Sequence, residues 1–182
     1  MALSYCDIAA GDPWHGPYHD REYGFPLADD ALLFERLVLE INQAGLSWLT
    51  ILKKREGFRR AYEGFVPEVI AAYGEADRKR LLEDAGIIRN RLKVDAAIDN
   101  AQRIVILRQT HGSFAHWIEG QGVLTKDEWV KLFRRTFRFM GGEIVGEFLM
   151  SIGYLPGAHQ PGCRIYRRIA KLGPPWLRHG RP

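Results

Sequence analysis

Four residues of the commonest metal-ligand types stand towards the ends of this chain: Cys6 and His19 early, His159 and Cys163 late. In His159-Gln160-Pro161-Gly162-Cys163 a Pro-Gly turn separates histidine from cysteine, a spacing from which both side chains can reach one ion. Cys6 and His19 bracket a loop containing prolines and glycines that is free to fold back. Together the four make a Cys₂His₂ set, which suits a closed, tetrahedral, structural zinc site stapling the first residues to the last. On spacing alone, four unrelated residues explain the pattern at least as well. Four protein ligands would leave no open position for water, so a zinc hydrolase is not expected. His15, His111, His116 and His179 have no cysteine at a suitable spacing and read as surface or loop histidines.

A second chemical grouping lies in Leu39-Glu40-Ile41-Asn42-Gln43-Ala44-Gly45-Leu46-Ser47-Trp48. Glu40 sits late in an amphipathic helix among apolar residues. A buried glutamate needs a polar partner or a ligand; otherwise Glu40 points to solvent, as helical glutamates commonly do. Trp48 follows across a glycine turn, and Tyr18 precedes His19. A carboxylate, an indole and a phenol suit a flat, cationic ring such as a methylated purine. A tryptophan face attracts such a cation by about 0.5–2 kcal/mol, and a carboxylate accepts its hydrogen bonds.

The third grouping is Phe137-Arg138-Phe139-Met140-Gly141-Gly142, between two helical stretches. The glycines leave backbone N–H groups free at the start of the following helix, where a DNA phosphate could sit. Arg134, Arg135 and Arg138 lie close enough in sequence to add charge. An ordinary helix–helix turn with glycines at a C-cap explains the same residues.

The elements that must position these groups read as helices. Residues 1–28 form an aromatic-rich opening segment, in which Pro13, Gly16 and Pro17 argue for irregular structure. Asp29 or Asp30 caps a helix carrying Leu32, Leu33, Leu37 and Ile41; Gly45 ends it, and another begins near Ser47. Pro67 opens a short helix ending near Tyr73-Gly74, and Glu75 to Asp84 make the next, stopped by Gly86. Asn90 to Arg108 is the longest, striped by Val94, Ala97, Ile98, Ala101, Ile104 and Val105. Gly112-Ser113 ends it and caps a further turn or two. Thr125 to Glu128 resembles a capping box opening a helix with Trp129, Leu132 and Phe133. Gly141-Gly142 separates that helix from Glu143–Ile152, and Tyr166–Leu172 forms the last. No alternating strand pair is legible, so the fold class is all-α.

The chain has 182 residues, 46% of them hydrophobic, enough for one domain of two helical lobes with no separate linker (residues 1–182). Its surplus of four positive charges permits a nucleic-acid partner without requiring one. No signal peptide and no membrane span are visible, so a cytoplasmic location is expected. In that compartment Cys6 and Cys163 are not expected to form a structural disulfide. No glycine-rich phosphate loop follows a strand, so no nucleotide cofactor is expected.

Several long motifs, in order, carry a resemblance. They are Tyr18-His19-Asp20; Gln43 to Trp48 followed by Ile51 to Glu56; Asp84-Ala85-Gly86-Ile87-Ile88-Arg89-Asn90-Arg91; and Phe137 to Gly141 ahead of His159-x₃-Cys163. From Cys6 to Cys163 the chain resembles the 3-methyladenine DNA glycosylase I (Tag) family of the helix-hairpin-helix DNA glycosylase superfamily. The resemblance implies a helix-hairpin-helix helical bundle whose termini are clasped by a structural zinc on Cys6, His19, His159 and Cys163. It implies that Tyr18, Glu40 and Trp48 line a base pocket, with Glu40 on the purine edge. It further implies that Phe139, Met140, Gly141 and Gly142 form a DNA-anchoring hairpin, and that Gly45 and Leu46 lie near the gap left in the duplex, Leu46 as a wedge.

The activity so implied is hydrolysis of the N-glycosidic bond of 3-methyladenine in double-stranded DNA, by a monomer and without strand cleavage. Related glycosylases place an aspartate after the hairpin, but Tyr154 to His159 contains none, nor any lysine. Catalysis would then rest on binding the labile base and on electrostatic stabilisation by Glu40. Ile8, His15 and Tyr23 replace aromatic residues usual in the family, and Gly157-Ala158 replaces an Asn-Asp pair. The first three changes are expected to thin the aromatic cover of the pocket, with Trp14 a possible substitute. The alternatives are a divergent paralogue excising another alkylpurine, or a lesion-binding module without catalysis.

Overall fold

Helix starts follow the capping groups almost residue by residue. In the computed structural model, which describes residues 3–179, Asp29 accepts a hydrogen bond from the Leu32 amide and opens α3 (Asp30–Gln43). Ser47 caps α4 (Trp48–Ala61), Pro67 takes the first turn of α5 (Pro67–Ala71), and α6 spans Glu75–Glu83. Asn90 caps α7 (Arg91–His111), which Gly112 ends at φ 83°, and Ser113 caps α8 (Phe114–Glu119). The Thr125–Glu128 capping box opens α9 (Lys126–Thr136); α10 (Gly142–Ser151) and α11 (Arg164–Lys171) follow. Every regular element among the described residues is a helix, with no strand. None of their helices is long and apolar enough to cross a membrane.

The opening segment corrects the expectation of irregular structure. It holds two helices, α1 (Tyr5–Ala9) and α2 (His15–Arg21). The reason is positional. Gly16 and Pro17 fall in the first turn of α2, where no backbone N–H is yet needed inside the helix. A Ser4–Asp7 capping box starts α1, and the Asp12 carboxylate accepts from the amides of Trp14 and His15 at 2.8 and 2.7 Å. His15 is buried rather than on the surface, whereas His111 and His116 are exposed, both on helices. The His179 side chain lies outside the described residues. A 3-10 turn (Glu63–Phe65) and α12 (Pro175–His179) had no signal strong enough to be read.

Two compact units divide the chain. One comprises residues 1–27 with 146–182, the other residues 28–145, so the division falls inside α10. The larger unit is built on α7, which packs against α3, α5, α6 and α8. Its core includes Phe34, Phe58, Tyr62, Phe65, Phe114 and Phe133. Within it, α4 crosses the loop after α6 at Gly57. A Cβ placed there would lie 2.3 Å from the Gly86 carbonyl oxygen. Backbone cannot yield cheaply to that overlap. Gly57→Ala is therefore expected to cost about 3 kcal/mol, read as a lower urea midpoint at unchanged slope.

Candidate functional site

The smaller unit brings the four predicted metal ligands together. The Cys6, His19, His159 and Cys163 donor atoms all lie within 4.8 Å of one another. His159 Nδ1 is 3.1 Å from His19 Nε2 and 3.8 Å from Cys6 Sγ. Cys163 Sγ lies 3.8 Å from His19 Nε2 and 3.9 Å from His159 Nδ1. Ligands of one tetrahedral zinc, with bonds near 2.0–2.3 Å, stand about 3.3–3.8 Å apart. The donor set and its spacing therefore fit such an ion.

The surrounding groups orient the donors. His19 Nδ1 lies 2.8 Å from the Asp20 carboxylate, and Asp20 is held in turn by Arg164 at 2.8 Å. His159 Nε2 faces the Tyr23 carbonyl at 2.7 Å. Each imidazole thus spends one nitrogen on an outer partner and presents the other to the site, the usual arrangement behind metal-binding histidines. Burial holds His159 below the usual histidine range, which favours the neutral, ligating form. Burial also pushes the Cys6 thiol up, the direction that a bound cation would reverse. Backbone amides of Gln160 and Ile165 donate to Cys6 Sγ and Cys163 Sγ at 3.5 and 3.4 Å. Gly24, at φ 83°, passes so close to this segment that a Cβ would meet Ala158 Cβ at 2.9 Å. Both cysteines are free.

Beside this cluster lies a group of packed aromatic rings. Tyr5 supplies a ring that sequence reasoning overlooked: it packs edge-on to Tyr23 at 5.2 Å, to His15 at 5.6 Å and to Tyr18 at 6.5 Å. Tyr18 is buried and lies 5.6 Å from Tyr23, whose hydroxyl donates to Glu147 at 3.0 Å. Ile8 and Trp14 are exposed. Tyr5 opens α1 immediately before Cys6, and its packing on the rings of α2 is visible only once both helices are known.

In the larger unit Glu40 is 4% exposed, which excludes the solvent-facing reading. It lies in the last turn of α3, and Trp48 begins α4. Between the two helices Gly45 takes φ 82°, and Leu46 protrudes at 39% exposure. Helix α9 and the first residues of α10 flank the turn at 137–141, where Phe139 adopts φ 65°. Phe137 anchors this turn against Phe114, Trp117 and Phe133 at 5.4, 5.6 and 5.4 Å, and Met140 is buried. No heavy atom lies within 4 Å of where a Gly142 Cβ would stand, so that helix start is open to close approach. The three nearby arginines do not all offer free charge. Arg134 donates to the Met140 carbonyl at 3.1 Å and Arg138 pairs with Asp99, whereas Arg135 is exposed.

The sequence model of the methyladenine glycosylase family matches residues 8–129. The chain is also 36% identical to DNA-3-methyladenine glycosylase 1 of Escherichia coli (strain K12), over 90% of this chain and 97% of that protein. It belongs to the methyladenine glycosylase family. Solved structures of methyladenine glycosylases share its fold. A crystal structure of a tyrosine-to-phenylalanine variant of 3-methyladenine DNA glycosylase I, in complex with 3-methyladenine, matches at TM-score 0.80 and 31% identity, covering 90% of this chain and 97% of that one. The enzyme from Staphylococcus aureus, whose structure concerns 3-methyladenine recognition, matches at TM-score 0.79 and 32% identity, with 91% and 97% covered. As a methyladenine glycosylase, the chain sets a buried glutamate directly before an exposed glycine–leucine loop.

Proposed function

We propose that this chain is a monofunctional DNA glycosylase that hydrolyses the N-glycosidic bond of 3-methyladenine in double-stranded DNA. The observation that carries the reading is Glu40: a carboxylate buried in α3 of a methyladenine glycosylase, one helical turn ahead of the Gly45–Leu46 loop. Alkylation at N3 makes the purine a cation while it remains attached to the sugar. When the bond to C1′ breaks, its electron pair leaves with the ring and positive charge moves to the sugar. Water then bonds C1′ and loses its proton to solvent, giving free 3-methyladenine and an abasic site. A buried anion at Glu40 stabilises this developing charge in a site that holds little water, and the Trp48 face attracts the cationic ring. Tyr18 is a further base contact in this reading.

The segment α9–turn–α10 serves as a helix-hairpin-helix anchor, with Phe139, Met140, Gly141 and Gly142 presenting backbone to a phosphate. Gly45 and Leu46 enter the space left by the extruded nucleotide; extrusion costs least for a damaged base. Cys6, His19, His159 and Cys163 would hold a structural zinc, whose role when bound is to cross-link α1, α2 and the 159–163 segment. The two units work as one domain, and the protein acts as a cytoplasmic monomer without a nucleotide cofactor.

The aromatic set around Tyr18, which uses Tyr5, His15 and Tyr23, favours a second reading in which the same chemistry serves a different alkylpurine. Incubating the purified protein with methylated duplex DNA and resolving the freed purines by chromatography separates the two. Release of 3-methyladenine is expected. Release of another alkylpurine instead selects the second reading, and duplex binding without release leaves a lesion-binding module.

A further inference from the structure

Helix α7 carries two buried polar side chains that the reaction does not use. Lys93 is 6% exposed, and its ammonium donates to the carbonyls of Asn42 at 2.9 Å and Ala44 at 2.8 Å. These carbonyls belong to the end of α3 and the start of the loop bearing Gly45 and Leu46. Two turns further along α7, Asn100 is 1% exposed. Its side-chain amide donates to the Arg138 carbonyl at 3.1 Å and accepts from the Arg138 amide at 2.7 Å. That pairing satisfies both backbone groups of one residue in the 137–141 turn. Asp99, next to Asn100, pairs with the Arg138 guanidinium.

We infer that α7 is a spacer that fixes the shape and separation of the two DNA-facing loops, with Lys93 and Asn100 as its positioning residues. The inference rests on the DNA-glycosylase reading. Residues 93 and 100 share one helix face about 10 Å apart along the axis, roughly three base steps of B-form DNA. The chemistry at each end matches a conformational task. A lysine buried without a carboxylate is an expensive choice for stability alone, and burial indeed holds Lys93 below the usual lysine range. What the ammonium gains is the carbonyl end of α3, where backbone dipoles concentrate negative charge. It thereby closes α3 where the chain must turn out to expose Leu46. At the other end, Phe139 is held at a positive φ that non-glycine residues avoid, a state that persists only when its surroundings enforce it. The two-point grip of Asn100 on the preceding residue supplies that enforcement.

Because the two loops have different tasks, the two side chains should fail differently. The full chain is assayed on duplex DNA carrying 3-methyladenine, with free 3-methyladenine as a separate binding probe. Lys93→Met is expected to lower the single-turnover excision rate at saturating enzyme about tenfold, while duplex affinity changes less than about threefold, since extrusion rather than anchoring suffers. Lys93→Arg should recover part of the rate. Asn100→Asp sets an acceptor against the Arg138 carbonyl. It should weaken duplex binding about tenfold and flatten its salt dependence, with the saturated rate nearly preserved. Both variants should keep wild-type affinity for the free base, which also reports an intact fold. Should either fail to fold, Lys93→Gln or Asn100→Ser gives the same comparison. Wild-type behaviour, or equal losses of rate and affinity in both variants, overturns the inference. Absence of excision and of duplex binding in the wild type overturns the functional reading and this inference with it.

Discussion

Replacing Glu40 by glutamine is expected to cut 3-methyladenine release by about 10²–10³-fold, equivalent to about 3–4 kcal/mol of transition-state stabilisation. The change is nearly isosteric, so it removes a charge without opening a cavity. Glu40 is buried, and a buried anion interacts far more strongly with an adjacent cation than a solvated one does. The loss should fall mainly on the single-turnover rate. Duplex affinity, which the proposed reading assigns to the 137–141 turn and the Gly45–Leu46 loop, should change little. Full activity in the glutamine variant would remove Glu40 from the chemistry. A variant that lost duplex binding along with rate would instead make Glu40 a structural residue of the α3 terminus.

Glu40 also marks the boundary of what the sequence discloses. Caps are local: Asp29, Ser47, Asn90, Ser113 and Thr125 each reach an amide a few residues ahead, and every helix they open was legible. The Cys/His cluster was legible as residue types, and the family resemblance supplied the grouping that spacing left open. The burial of Glu40 depended on tertiary packing, so its sequence allowed both faces. Other failures have the same origin. Pro17 looked like a helix breaker because its place in the first turn of α2 depends on where that helix starts. His15 looked exposed because its partner, the Tyr5 hydroxyl at 3.3 Å, lies on another helix. Lys93 and Asn100 carry no signal in the sequence, since their partners Ala44 and Arg138 are distant in sequence and offer only backbone atoms, which carry no residue signature. Arg134 and Arg138 were read as charge for DNA, yet their nearest partners lie within the same unit.

Stripping metal from the protein should have the largest effect on stability. Metal analysis of the purified chain is expected to find one zinc, and Cys163→Ser to lose most of it. The serine fits the space but cannot supply a thiolate, and its replacement leaves three ligands around an ion that structural sites hold with four. Ligand binding to the native state alone stabilises a fold through mass action. Losing about 3–4 kcal/mol in this way from a chain of this length should lower the unfolding midpoint by about 10 °C. The loss should be uneven. Besides the ligand cluster itself, residues 4–24 are tied to the later segment by the His159–Tyr23 contact, the Asp20–Arg164 pair and the Arg168 bond to the Asp20 carbonyl. Amide exchange in residues 4–24 and 159–171 should therefore rise well before the α7 core responds. Restoring zinc to chelator-treated wild type should reverse both changes, and the serine variant should not respond. Should chelation leave the midpoint and the exchange pattern unaltered, Cys6, His19, His159 and Cys163 form a hydrogen-bonded cluster in their own right. The Asp20 and Tyr23 contacts would then orient the histidines for packing rather than for a metal.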